Sequence, residues 1–167
     1  MQHRQQNSRL WGSAAVITLL VLVTSFLPYP LQAAIELPTQ PYLPLTMALD
    51  AASAALAQCE ADGYRVSVAV VDRSGDLKVL LKGDGAGPPT VNSSRGKAFT
   101  SASMGRATGE LATMIAENPA IAGLRNMDER MLILAGGLPI VVNEVVVGGI
   151  GVGGAPGGNL DEACAQA

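Results

Sequence analysis

The sequence predicts an α/β (α+β) domain, with one five-stranded antiparallel sheet flanked by helices. Three observations predict it. Residues 66–71 and 77–82 are two apolar runs joined by Asp72-Arg73-Ser74-Gly75-Asp76, a turn in which Gly75 supplies positive φ, so they read as an antiparallel hairpin. Three further strand-like runs, 130–135, 138–143 and 145–153, follow one another late in the chain with only short turns between them. Segments with helical spacing of apolar residues lie before, between and after these runs, and strands joined by tight turns with helices over their faces make an antiparallel, layered domain.

The first 33 residues read as a secretory signal peptide. Arg4 and Arg9 form a positive start, and residues 10–27 are apolar apart from Gly12, Ser13, Thr18, Thr24 and Ser25. Pro28 and Pro30 break the helix ahead of Leu31-Gln32-Ala33-Ala34, a small-residue cleavage site. An uncleaved anchor is the alternative, although the apolar run is short for a span of about 20 residues. Cleavage leaves a periplasmic or secreted protein with no membrane segment, and about 133 residues suit one domain.

Residues 34–44, rich in proline, form an extended arm, and the domain runs over 45–167. Thr46 caps a helix to about residue 61, with Leu49, Ala52, Leu56 and Cys59 as its apolar face and Gly63 ending it. The hairpin follows. Residues 83–89 form a glycine and proline loop whose N–H groups can face an anion. Residues 90–103 are helical, Gly105 interrupts, and 108–117 is a second helix capped by Thr108 and stopped at Asn118-Pro119. Residues 120–129 connect to the three late strands. A short helix starting at Gly158 or Asn159 closes the chain, with Asp161 and Glu162 in its first turn, where they suit the helix dipole. The order is α-β-β-α-α-β-β-β-α.

The last strand carries an unusual face. Strict alternation puts Val145, Val147, Gly149, Gly151 and Gly153 on one side and Val146, Gly148, Ile150 and Val152 on the other. A repeated glycine face marks the close approach of a helix, another backbone or a ligand. Gly149-x-Gly151-x-x-Gly154 also satisfies the dinucleotide pattern GxGxxG, but that pattern needs a following helix and a second βα unit. Pro156, Gly157 and Gly158 follow instead, so strand packing is the preferred reading.

Composition excludes several functions. The leader takes with it His3, the only histidine, and Trp11, the only tryptophan. Removing Arg4 and Arg9 from 11 basic residues leaves 9 against 14 acidic ones, a net charge of −5 with no basic stripe, which argues against nucleic acid. Histidine-based triads and metal sites are excluded from the mature chain. Asp128-Glu129, Glu110 and Glu117 are scattered and read as a solvated face, so no metal site is assigned. Cys59 and Cys164 both fall in expected helices that can pack on one sheet face, and in an oxidising compartment a disulfide between them is preferred over two buried thiols.

Five stretches resemble the GlcG/HbpS family of haem-degrading or haem-binding proteins. They are Val68-Ala69-Val70-Val71-Asp72-Arg73-Ser74-Gly75, Gly83-Asp84-Gly85-Ala86, Lys97-Ala98-Phe99-Thr100-Ser101-Ala102, Gly136-Gly137-Leu138-Pro139-Ile140 and Val147-Gly148-Gly149-Ile150-Gly151-Val152-Gly153-Gly154. The resemblance implies a profilin-like domain, a homo-oligomer and, in some members, haem as ligand. Some family sequences carry a histidine before the central helix. Here that segment is Gly87-Pro88-Pro89-Thr90, so the other iron donors are Met104, Met114, Met127, Met131, Tyr42 and Tyr64.

The candidate ligand-binding residues are Asp84, Arg95, Lys97, Arg106, Gly149 and Gly151. Lys97 pairs with a ligand carboxylate or with Asp84, or is an ordinary solvated lysine. Asp84 orients Lys97 or is a turn residue bonding its own backbone. Arg95 and Arg106 hold carboxylates through bidentate contacts, or form surface or interface ion pairs. The expected pocket lies between the glycine loop, the Lys97 helix and the glycine strand. The leading expectation is an exported, oligomeric binding protein for haem or a small anionic ligand. The alternatives are a small-molecule enzyme using Lys97 and a structural assembly module whose glycine strand packs on a neighbour.

Overall fold

In the computed structural model, residues 36–167 are described, so the leader and the first two residues of the arm lie outside the description. Residues 36–44 have no regular structure, and the fold occupies Gln40–Ala167. Helix α1 spans Leu45–Ala61, strands β1 and β2 span Ser67–Asp72 and Leu77–Lys82, and helices α2 and α3 span Thr90–Met104 and Thr108–Glu117. A 3-10 helix over Pro119–Asn126 leads to β3, Gly137–Val142, then β4, Val145–Gly153, and α4, Gly158–Ala165. Among the described residues no helix is long and apolar enough to cross a membrane.

Among the described residues the sheet is antiparallel throughout in the order β2-β1-β4-β3, with four strands where the sequence predicts five. The difference is the 130–135 segment, which lies on α2 instead of joining the sheet. Leu132 N–H donates to Thr100 Oγ1, and Leu132 packs where Gly96 leaves no side chain. Ile133 and Met131 join Leu111 and Ile115 of α3, so the apolar pattern that reads as a strand is satisfied by a helix. The β3–β4 hairpin closes through Asn143 and Glu144, both at positive φ, the geometry a two-residue turn requires.

Helices α1 and α4 cover one face of the sheet. Ala48, Ala52, Ala55 and Cys59 of α1 and Cys164 of α4 pack with Val68, Val70, Val147, Ile150 and Val152. The buried side of α1 is therefore its alanine row: Leu56 is only partly buried, and Leu49 turns outward. Alanines let the helix sit close to the sheet. Cys59 and Cys164 form a disulfide that ties α1 to α4, with Cα atoms 5.4 Å apart. Helix α1 begins at Leu45 after Pro44, without a side-chain cap, so Thr46 does not serve as one. Thr108 does not cap α3 either, because its Oγ1 accepts from Gly137 N–H at 2.8 Å.

Helix α2 covers the other face and is itself nearly enclosed. Its residues from Gly96 to Ala102 are all buried, against the sheet on one side and the 130–135 segment on the other. A helix with so little apolar surface can be buried because its hydroxyls find backbone partners. Ser94 donates to Val91 O, Thr100 to Gly96 O, and Ser101 Oγ lies 3.0 Å from both Ala98 O and Leu138 O.

Candidate functional site

The glycine face of β4 is filled by α2. A Cβ placed on Gly149 would lie 2.6 Å from Ser101 Oγ and 2.8 Å from Ala102 N, and one on Gly151 would lie 2.5 Å from Ala98 N and collide with Ser94 O. Facing them from β1 are Val71 and Ala69, which pair in register with Gly149 and Gly151 and form a small cluster with Ala98 and Ala102. A ligand has no room there, so of the occupants that the bare face admits, the helix is the one found. The alternation also breaks. Val147 is the extra residue of a bulge opposite Ile140/Val141, and it packs with Ile150 and Val152 rather than on the glycine side.

Lys97 is neither solvated nor paired with Asp84. It is 1% exposed, and its Nζ donates to Asp161 Oδ2 at 2.6 Å and to Val152 O at 2.8 Å. The other carboxylate oxygen, Asp161 Oδ1, accepts from Ala155 N–H at 2.9 Å. Gly136, at φ +116°, makes the passage: a Cβ there would stand 2.8 Å from Lys97 Nζ and 2.6 Å from Asp161 Cβ. Lys97 thus reaches from α2, past the β3–β4 end of the sheet, to α4. The ion pair is a staple between layers.

Asp84 is exposed. The glycine loop around it folds on itself, with Ala86 N–H bonded to Gly83 O and Thr90 N–H to Gly87 O, so these donors do not face an anion. Arg106 is exposed, with Nη1 3.5 Å from Met114 Sδ. The expected pocket among loop, Lys97 and glycine strand therefore does not form.

A cleft of about 420 Å³ lies instead on the opposite flank of α2. Asn92, Arg95, Gly96 and Phe99 line it at successive helical turns; Val71, Gly75 and Leu77 of the hairpin form one wall, and Glu129 and Arg130 the other. The hairpin turn is held rigidly. Asp72 Oδ1 accepts from Ser74 N–H and Asp76 N–H, and Arg73 Nη1 donates to Ala102 O of α2 at 2.9 Å. Gly75, at φ +84°, is the one residue type that fits over Phe99, because a Cβ there would lie 2.5 Å from the ring.

Arg130 is placed by two contacts. Its guanidinium stacks over the Phe99 ring, 4.1 Å from the centroid. It also forks onto Asp128, with Nε 2.9 Å from Oδ1 and Nη2 2.7 Å from Oδ2. These hydrogen bonds hold the Asp128 carboxyl down at about 2, below its ordinary 3.8, and raise Arg130 in turn. The pair stays ionised at any physiological pH. Arg95, the second guanidinium, is exposed in the same cleft. Of the six sequence candidates, the structure brings only Arg95 to the cleft. Phe99, Arg130 and Gly75 are the residues that sequence reasoning left out. Arg130 was legible only as a charged residue heading an apolar run.

The cleft fits part of what haem presents. Two guanidinium groups suit carboxylates, and Phe99, Val71 and Leu77 supply apolar surface. Among the described residues it supplies no imidazole, thiolate, thioether or phenol for iron. Of the donors expected from sequence, Tyr42 is 79% and Met127 61% exposed, Tyr64 packs on the main core, and Met104 and Met131 pack against Leu111 and Ile115.

Comparison with known proteins places this architecture. Residues 43–167 match the family model described as haem degrading protein HbpS-like. The crystal structure of HbpS is 46% identical, covers 78% of this chain and 90% of its own, and superposes with a TM-score of 0.73. A PduOC:heme complex is 24% identical over 75% of this chain and 91% of its own, with a TM-score of 0.70, and shares the fold. A Citrobacter freundii 15.0 kDa protein from the dhaT–dhaS intergenic region is 29% identical over 114 residues, 65% of this chain and 80% of that protein.

Proposed function

This chain belongs to the HbpS-like family of haem-degrading proteins, and from that premise we propose that it binds haem, or a carboxylate-bearing ligand of similar shape, in the cleft on the outer flank of α2. One observation carries the reading: Arg95 and Arg130 flank a cleft to which Phe99, Val71 and Leu77 contribute apolar wall. Haem has apolar faces and two propionates. Arg95 and Arg130 hold the carboxylates, Asp128 orients Arg130, and the hairpin wall excludes water from one side. A fold relative solved with haem supports the ligand class.

The protein acts outside the cytoplasm in this proposal. The arginine-flanked apolar leader supports export to the periplasm or medium, and the Cys59–Cys164 disulfide suits an oxidising compartment. It works as a homo-oligomer; the exposed Leu80 of edge strand β2 and Val141 of edge strand β3 support self-association, which light scattering measures. The binding test is titration with hemin followed by absorbance. The expected result is a displaced Soret band with saturation near about micromolar hemin, weakened in Arg95→Ala. An unchanged band through that range rejects haem as the ligand.

A further inference from the structure

We infer that the cleft recognises the carboxylates and ring plane of a tetrapyrrole and not its metal, so that it takes metal-free porphyrins as readily as haem. The inference rests on the haem-type reading of the cleft and narrows it. The cleft is lined mostly by groups that suit an anionic, flat molecule, with Glu129 as the acidic side chain in its wall. Arg95 and Arg130 present guanidinium groups, Asn92 presents an amide, and the Arg130 plane lies on Phe99 at 4.1 Å, which is the stacking arrangement a planar ligand extends. Val71 and Leu77 complete an apolar wall.

The metal has no comparable partner. Haem iron is held by histidine, cysteine, methionine or tyrosine, and among the described residues no such side chain lines the cleft. Among the described residues there is no histidine, and both cysteines are joined in the disulfide. The one carboxylate of the cleft, Glu129, lies in the field of Arg130 and contributes to holding that guanidinium charged. Affinity therefore resides in pairing of the propionates and burial of the ring faces, and a porphyrin presents both with or without iron.

The test uses the full chain with two probes, hemin followed by absorbance and protoporphyrin IX followed by fluorescence. His3→Ala is run beside it to remove the leader's imidazole. The two dissociation constants are expected to agree within about tenfold. Arg95→Ala and Arg130→Ala, both exposed positions that leave the core intact, are expected to weaken both probes in parallel, each by about two- to fivefold. Hemin binding more than about tenfold tighter than protoporphyrin overturns the inference and leaves the haem reading standing. So does selective loss of hemin binding in Glu129→Gln, which would make that carboxylate an iron ligand. Equal binding that ignores both arginine changes places the ligand elsewhere and also overturns it. If neither probe binds, the haem reading falls and the inference with it.

Discussion

Lys97 shows how a single residue changes meaning once its surroundings are known. Its side chain and that of Asp161 are 1% and 5% exposed, so the pair has little water to fall back on. Removing one partner of such a pair leaves an uncompensated buried charge, which costs about 3–5 kcal/mol. Asp161→Asn keeps the shape and the acceptor for Ala155 N–H but removes the charge. It is expected to lower unfolding free energy in urea by about that amount, with part regained when Lys97→Met is added. A loss within about 0.5 kcal/mol of zero would mean that the pair staples nothing. Lys97 stood out in the sequence, but its partner did not. Asp161 lies 64 positions away and already has a local explanation in the first turn of a helix. Asp84, one of the alternatives that the sequence offers for Lys97, is exposed instead.

At the scale of elements, the decisive contact is α2 on β4. Glycines at Gly149, Gly151 and Gly153 let a helix backbone approach a strand backbone directly. Gly151→Ala forces a methyl group against Ser94 O and Ala98 N, so α2 must lift or tilt. The expected cost is about 1–3 kcal/mol or more by denaturant unfolding, since backbone cannot yield as a side chain does. Arg95 and Phe99 ride on α2, so weaker ligand binding is expected with it. Full stability in Gly151→Ala would contradict the contact. Most elements were legible because their signals are local: β2 spans 77–82 and β4 spans 145–153 as the pattern predicts, and α2 and α3 begin at Thr90 and Thr108. The 130–135 run was misread because an apolar segment buried under a helix has the same composition as a strand. The bulge at Val147 was invisible because alternation assumes an unbroken register.

For the whole molecule, the disulfide closes a loop between residues 105 apart and joins the first helix of the fold to the last. In the chain-entropy view a loop near that length is worth up to about 4.7 kcal/mol. Replacing both Cys59 and Cys164 with serine is expected to lower the urea midpoint, and reductant is expected to do the same to the native protein. Intact mass should rise by two hydrogen atoms on reduction; an unchanged mass and midpoint would contradict the bond. The sequence by itself determined the layered α+β class, the order of the elements apart from the 130–135 segment, the family and the cysteine pairing. Each rests on signals that are short-range or that follow from composition. Only the tertiary structure decided what fills the glycine face, which carboxylate neutralises Lys97, and where a cleft opens. Those outcomes depend on residues from α2, the β1–β2 turn and the segment before β3 meeting in space, and no local pattern encodes that meeting. The GxGxxG-like run thus ends as the seat of a helix, and the cleft opens along the flank of that helix that meets the β1–β2 hairpin and Glu129-Arg130.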